Sequence, residues 1–99
     1  MKSISSFLEC YTDIFTVLNN NTKLNESELI RAIRLCISDE YDAIKRYTQL
    51  AESINNKKVS DILTNISNEE KVHVGEFLKI LKELSPDEEG YYNKGMIEN

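Results

Sequence analysis

Apolar residues recur every three or four positions along two long stretches, and the polar pair Asn55–Asn56 separates them. The first stretch carries Leu29, Ile33, Cys36, Ile37, Ile44, Tyr47, Leu50, Ala51 and Ile54. The second carries Val59, Ile62, Leu63, Ile66, Phe77, Ile80, Leu81 and Leu84. That period places each set on one side of an α-helix. A short break between two amphipathic helices returns the second against the first, as an antiparallel hairpin. Asn25, with Glu28 three positions on, has the spacing of a capping box and predicts where the first helix begins. Asn55–Asn56 end it. "SPDE" at 85–88 stops the second helix, because proline cannot continue it, and Ser85, Pro86 and Glu88 can cap a new short one.

The flanks are weaker in pattern. Residues 4–18 place Phe7, Leu8, Tyr11, Ile14, Phe15 and Leu18 at helical spacing, with Ser6 and Glu9 as a second capping pair. This predicts a short amphipathic helix whose apolar face must cover the chain's own core or another subunit. An Asn-rich linker follows. The tail "GYYNKGMIEN" shows little periodicity. The expected division is residues 1–24 as helix and linker, 25–85 as the hairpin, and 86–99 as a short helix and tail.

Composition agrees with an all-α fold. Among 99 residues there are one Pro and three Gly, so helix breakers are few. The length suits one small domain, which buries too little surface for a partner chain to be surprising. A net charge of -5 with no Lys/Arg cluster argues against nucleic acid. Two cysteines, Cys10 and Cys36, are too few for a disulfide scaffold or a four-cysteine metal site. Cys36, one turn before Glu40, reads as a small core residue rather than a ligand. No run approaches membrane-spanning length, and "MKSISSFLECYTDIF" lacks the apolar core of a secretory signal. A cytoplasmic location is the default.

The stripes are interrupted at three places. Glu40 falls on the first, and Glu70 and His73 on the second, where core residues belong. Counted from residue 55, Glu40 and Glu70 are equidistant, each about 22 Å from the turn at a rise of about 1.5 Å per residue. His73 is one turn from Glu70 on the same face. Two buried carboxylates at one level are costly and repel each other, and a cation relieves both problems. Carboxylate oxygens with an imidazole suit iron, manganese or zinc. A Glu from one helix and Glu-x-x-His from another is half of the ligand set of carboxylate-bridged di-metal bundles. A symmetric dimer would supply the other half, with Glu40, Glu70 and His73 from each chain, and would cover the apolar stripes of an isolated hairpin. The bland alternatives are a hydrogen-bonded core histidine, or Glu70 and His73 both facing solvent beside a narrower stripe.

"AIRLCISDEYDAIKRYTQLAE" followed by "ILTNISNEEKVHVGEFLKILKELSPDEE" resembles the encapsulated ferritins, short ferritin-like proteins held inside encapsulin shells or fused to the shell protein. The resemblance spans roughly residues 28 to 90 and centres on "DEYDAI" and "EEKVHVGEF". It implies a long antiparallel hairpin that dimerises into a ferritin-like four-helix bundle, and a homo-oligomeric ring of about ten chains. It implies a di-iron ferroxidase site at the dimer interface, and an encapsulin shell protein as partner in a cytoplasmic nanocompartment. Glu40 and Glu70 would be carboxylate ligands, Glu70 bridging, and His73 the imidazole ligand. Tyr47 matches a family tyrosine near the site and equally fits a core aromatic. Asp39 and Asp42 match acidic positions of a secondary, entry-path metal site, and equally fit a solvated surface beside Lys45 and Arg46. Glu69 reads as surface. The N-terminal helix has no counterpart in the family, and "YYNKGMIEN" contains no recognisable encapsulin-targeting peptide. The rival expectations are a rubrerythrin-like di-iron peroxidase and a metal-free helical interaction module.

Overall fold

The computed structural model describes residues 23–98. The helix expected over residues 4–18 lies outside them. Three helices follow in order: α1, Glu26–Glu52; α2, Lys57–Leu84; and α3, Pro86–Ile97.

Each helix starts for a local reason. The Asn25 side chain accepts from the Glu28 N–H at 2.8 Å, and the Asn25 N–H donates to Glu28 Oε1 at 2.9 Å, closing the expected box. Asn56 caps α2 by accepting from the Val59 N–H at 3.2 Å. Capping satisfies N–H groups that have no partner within the first turn. α1 ends at Glu52, slightly before the asparagine pair, with Ser53 as its C-cap.

The C-terminal end corrects the sequence-based reading twice. Ser85 makes no side-chain capping bond to the backbone. The short helix expected after Pro86 extends through the tail as far as Ile97. Pro86 at the first helical position, acids at Asp87, Glu88 and Glu89, and Lys94 in the last turn all favour that helix. Its lack of amphipathic pattern hid its extent, because periodicity reports burial and α3 buries no residue.

α1 and α2 pack along their length, and α3 folds against α2. The hydrophobic core is Ile33, Ala51, Val74 and Leu81. At about 1.5–3 kcal/mol for each large apolar side chain, this is a thin core for helices of 27 and 28 residues. Ser67 is only 2% exposed and lets the two backbones approach closely. Its hydroxyl meets Thr48 Oγ1 at 2.9 Å and lies 3.4 Å from the Ile44 carbonyl. Nearer the turn, the Ser60 hydroxyl donates to the Ala51 carbonyl at 2.9 Å. Apolar side chains remain uncovered, with Leu50 48%, Val59 42%, Ile62 50% and Ile80 39% exposed.

Candidate metal centre

The hairpin brings Glu40 of α1 level with Glu70 and His73 of α2. One ligand atom from each lies within 4.8 Å of the others. His73 Nδ1 is 3.5 Å from Glu40 Oε2 and 3.4 Å from Glu70 Oε2. These distances are long for hydrogen bonds. They match donors at about 2.1 Å from a common ion, which stand about 3 to 3.4 Å apart.

Burial is uneven across the group. The Glu40 and Glu70 side chains are 18% and 19% exposed, whereas His73 is 48% exposed. Glu40 Oε2 is buried and makes no hydrogen bond. A buried carboxylate oxygen without a hydrogen-bond donor costs desolvation energy. The donor set and this orphaned oxygen together fit a cation.

His73 opens onto the uncovered face. It falls at seven-residue spacing between Ile66 and Ile80, and Val59 lies seven residues before Ile66. The three ligand candidates are therefore contiguous with the exposed apolar stripe of α2.

Other sequence-selected residues stand further out. Asp39 is half-buried and Asp42 exposed, and neither belongs to the cluster. Tyr47 is half-buried, and the Arg46 guanidinium stands 5.6 Å from its ring centroid. Cys36 is half-buried outside the cluster. Burial, and then the charge of Asp39, push its thiol pKa up, so the neutral form is favoured there. Glu69 is exposed, as its position off the stripe predicts.

One polar cluster was not legible beforehand. Arg34 of α1 engages both carboxylate oxygens of Glu88 on α3, and the Tyr92 hydroxyl donates to Glu88. The Arg34 hydrogen bond, followed by that of Tyr92, holds the Glu88 carboxyl below the usual range. Arg34 and Glu88 are far apart in sequence, so no local pattern suggested the pairing.

The rubrerythrin family model matches residues 31–98. The crystal structure of the encapsulated ferritin domain from Pyrococcus furiosus matches at 36% identity and a TM-score of 0.74, covering 75% of this chain and 76% of that one. The chain belongs to the encapsulated ferritins, with a rubrerythrin-family domain. This encapsulated ferritin is also similar to the ferritin-like-encapsulin shell fusion protein of Pyrococcus furiosus, at 38% identity over 73 residues. That alignment covers 74% of this chain and 21% of the fusion protein. An encapsulin nanocompartment cargo protein from Myxococcus xanthus is 33% identical over 66 residues, covering 67% of this chain and 51% of its own length. The chain thus spans about a fifth of one curated relative and about half of the other. Its three-helix architecture is ferritin-like by this structural match.

Proposed function

We propose that this encapsulated ferritin is a ferroxidase, oxidising Fe(II) to Fe(III) at a di-iron site shared by two copies of the chain. The observation that carries the reading is the cluster of Glu40, Glu70 and His73, with its buried, unpartnered Glu40 oxygen. One chain offers one Glu and one Glu-x-x-His, half of the set that a di-metal bundle uses. The exposed apolar stripe beside His73 supports a second copy as the source of the other half.

In this reading Glu40 and Glu70 would hold Fe(II) through carboxylate oxygens, and His73 through its imidazole. Iron held there would supply the redox chemistry, one electron from each Fe(II), with O2 as the acceptor. The two carboxylates offset the added positive charge of the ferric product, and hard oxygen donors favour it. Burial of Glu40 and Glu70 limits competition from water. Tyr47, two turns from Glu40 on its stripe, belongs to the surroundings of the site. Asp39 and Asp42 mark an entry path for the cation. The relatives named for encapsulin shells and cargo support association with an encapsulin shell, and location inside its compartment. The dimer in turn assembles into a larger ring.

The test is aerobic Fe(II) oxidation by the full chain beside Glu40→Ala, Glu70→Ala and His73→Ala. Oxidation collapses in all three, and purified wild-type protein binds about one iron per chain. Wild-type rates in all three variants would sink the reading. The rubrerythrin family match favours one second reading, a di-iron peroxidase. The two cysteines of this sequence cannot form a four-cysteine iron site. Faster iron oxidation by hydrogen peroxide than by O2 would select that reading.

A further inference from the structure

A second uncovered surface lies away from the metal cluster, between α2 and α3. It is a groove of about 410 Å³, with Leu78, Leu81, Tyr92 and Met96 among its lining and Lys79 and Lys82 on its rim. Gly75 leaves one wall open, since a Cβ placed there would meet nothing within 4 Å. We propose that this groove is the docking site of the chain's own N-terminal segment, residues 4–18.

Three observations select that occupant. First, the antiparallel hairpin places the start of α1, at Glu26, beside the end of α2, at Leu84. The groove is built around that end, so the chain before Lys23 leaves the hairpin next to it. Second, the reach is sufficient. The linker 19–25 spans up to about 3.3 Å per residue, and a helix over residues 4–18 would be about 22 Å long. Third, the chemistry is complementary. The segment presents Phe7, Leu8, Tyr11, Ile14, Phe15 and Leu18 at helical spacing, with Glu9 and Asp13 off that stripe. The groove offers apolar walls for that stripe, with Lys79, Lys82, Glu88 and Glu89 around them. Lys82 pairs with Glu89 at 3.4 Å, while Lys79 has no ion-pair partner among the described residues.

Native Cys10 flanks the apolar stripe of the segment and makes the proposal testable on the full chain. In a Cys36→Ser, Met96→Cys background, a short bis-maleimide would join Cys10 to the thiol at position 96. Mixed isotopically light and heavy chains distinguish a link within one chain from a link between two. The expected product is the intramolecular link. Its yield falls at least tenfold when Gly75→Leu fills the groove, and equally in Phe7→Asp/Ile14→Asp. Neither change breaks α2, because Gly75→Leu raises helix propensity and the other pair lies outside it. Unchanged circular dichroism confirms this. Light–heavy links alone would overturn the proposal and assign the groove to a second copy. Absence of any link, with both thiols reactive toward a monofunctional maleimide, would also overturn it. So would undiminished linking in Gly75→Leu.

Discussion

Glu40 Oε2 stands 3.5 Å from His73 Nδ1, with the whole turn of the hairpin between them. The Glu40 oxygen is buried without a hydrogen bond. This relationship separates the needs of the apo fold from those of the metal-bound one. Glu40→Gln removes the buried charge and keeps the shape. Its metal-free melting temperature should equal or exceed that of the wild type. The stabilisation by Fe(II) added anaerobically should vanish. For the wild type, metal at about 100 times its dissociation constant adds about 2.7 kcal/mol. That corresponds to a rise on the order of 10 °C for a domain of this size. A Glu40→Gln chain with the full metal-induced rise contradicts the ligand assignment.

The apolar stripe containing Ile62, 50% exposed, should be an interface between copies. Ile62→Asp places a charge in it without touching the core. Sedimentation should show a dimer or larger species for wild type and a monomer for Ile62→Asp. Iron per chain should fall at least severalfold in the variant, since half of the ligand set leaves with the partner. Full iron binding by a monomeric variant would show that one chain suffices.

The attachment of α3 to α1 should depend on pH from both sides. Glu88 has a lowered folded-state pKa, first through the Arg34 hydrogen bond. Its contribution is complete above the ordinary glutamate value of about 4.3 and is lost as pH falls through the lower folded value. Tyr92 has a raised pKa, first because its hydroxyl donates to Glu88. Its contribution is present below about pH 10 and is lost as pH rises through the folded value. Amide exchange in Pro86–Ile97 should therefore accelerate in acid and in strong alkali relative to α2. In Arg34→Ala, the Glu88 carboxyl resonance should titrate closer to the ordinary range.

The thin core makes individual contacts expensive to lose. Leu81→Ala should destabilise the chain by about 2–5 kcal/mol. Ser67→Leu should cost about 1–3 kcal/mol by forcing α1 and α2 apart. Asn25→Ala should cost about 1 kcal/mol through loss of the cap. Urea unfolding followed by circular dichroism gives all three. A neutral Ser67→Leu would show that the helices are not held at close approach there.

Much of this architecture was readable before any coordinates. The stripe from Leu29 to Ile54 and that from Val59 to Leu84 define two helices; Asn25 marks the start of the first, Asn55–Asn56 its end, and Pro86 the end of the second. The equal distances of Glu40 and Glu70 from the turn predicted that they meet, and they do. The extent of α3 was not legible because it buries no residue and so carries no burial pattern. The Arg34–Glu88–Tyr92 cluster was invisible for a related reason, since its position depends on where α3 lies.

The linear order of residues therefore determined the helices, their turn and the level of the candidate ligands. These follow from local propensity, capping and a constant helical rise. The tertiary structure alone decided which oxygen of Glu40 is buried without a partner and that His73 stays half exposed beside an uncovered stripe. It also decided that α3 folds back to leave a groove. Those properties depend on helix rotation and crossing, which arise from side-chain packing between segments rather than from the period of either one.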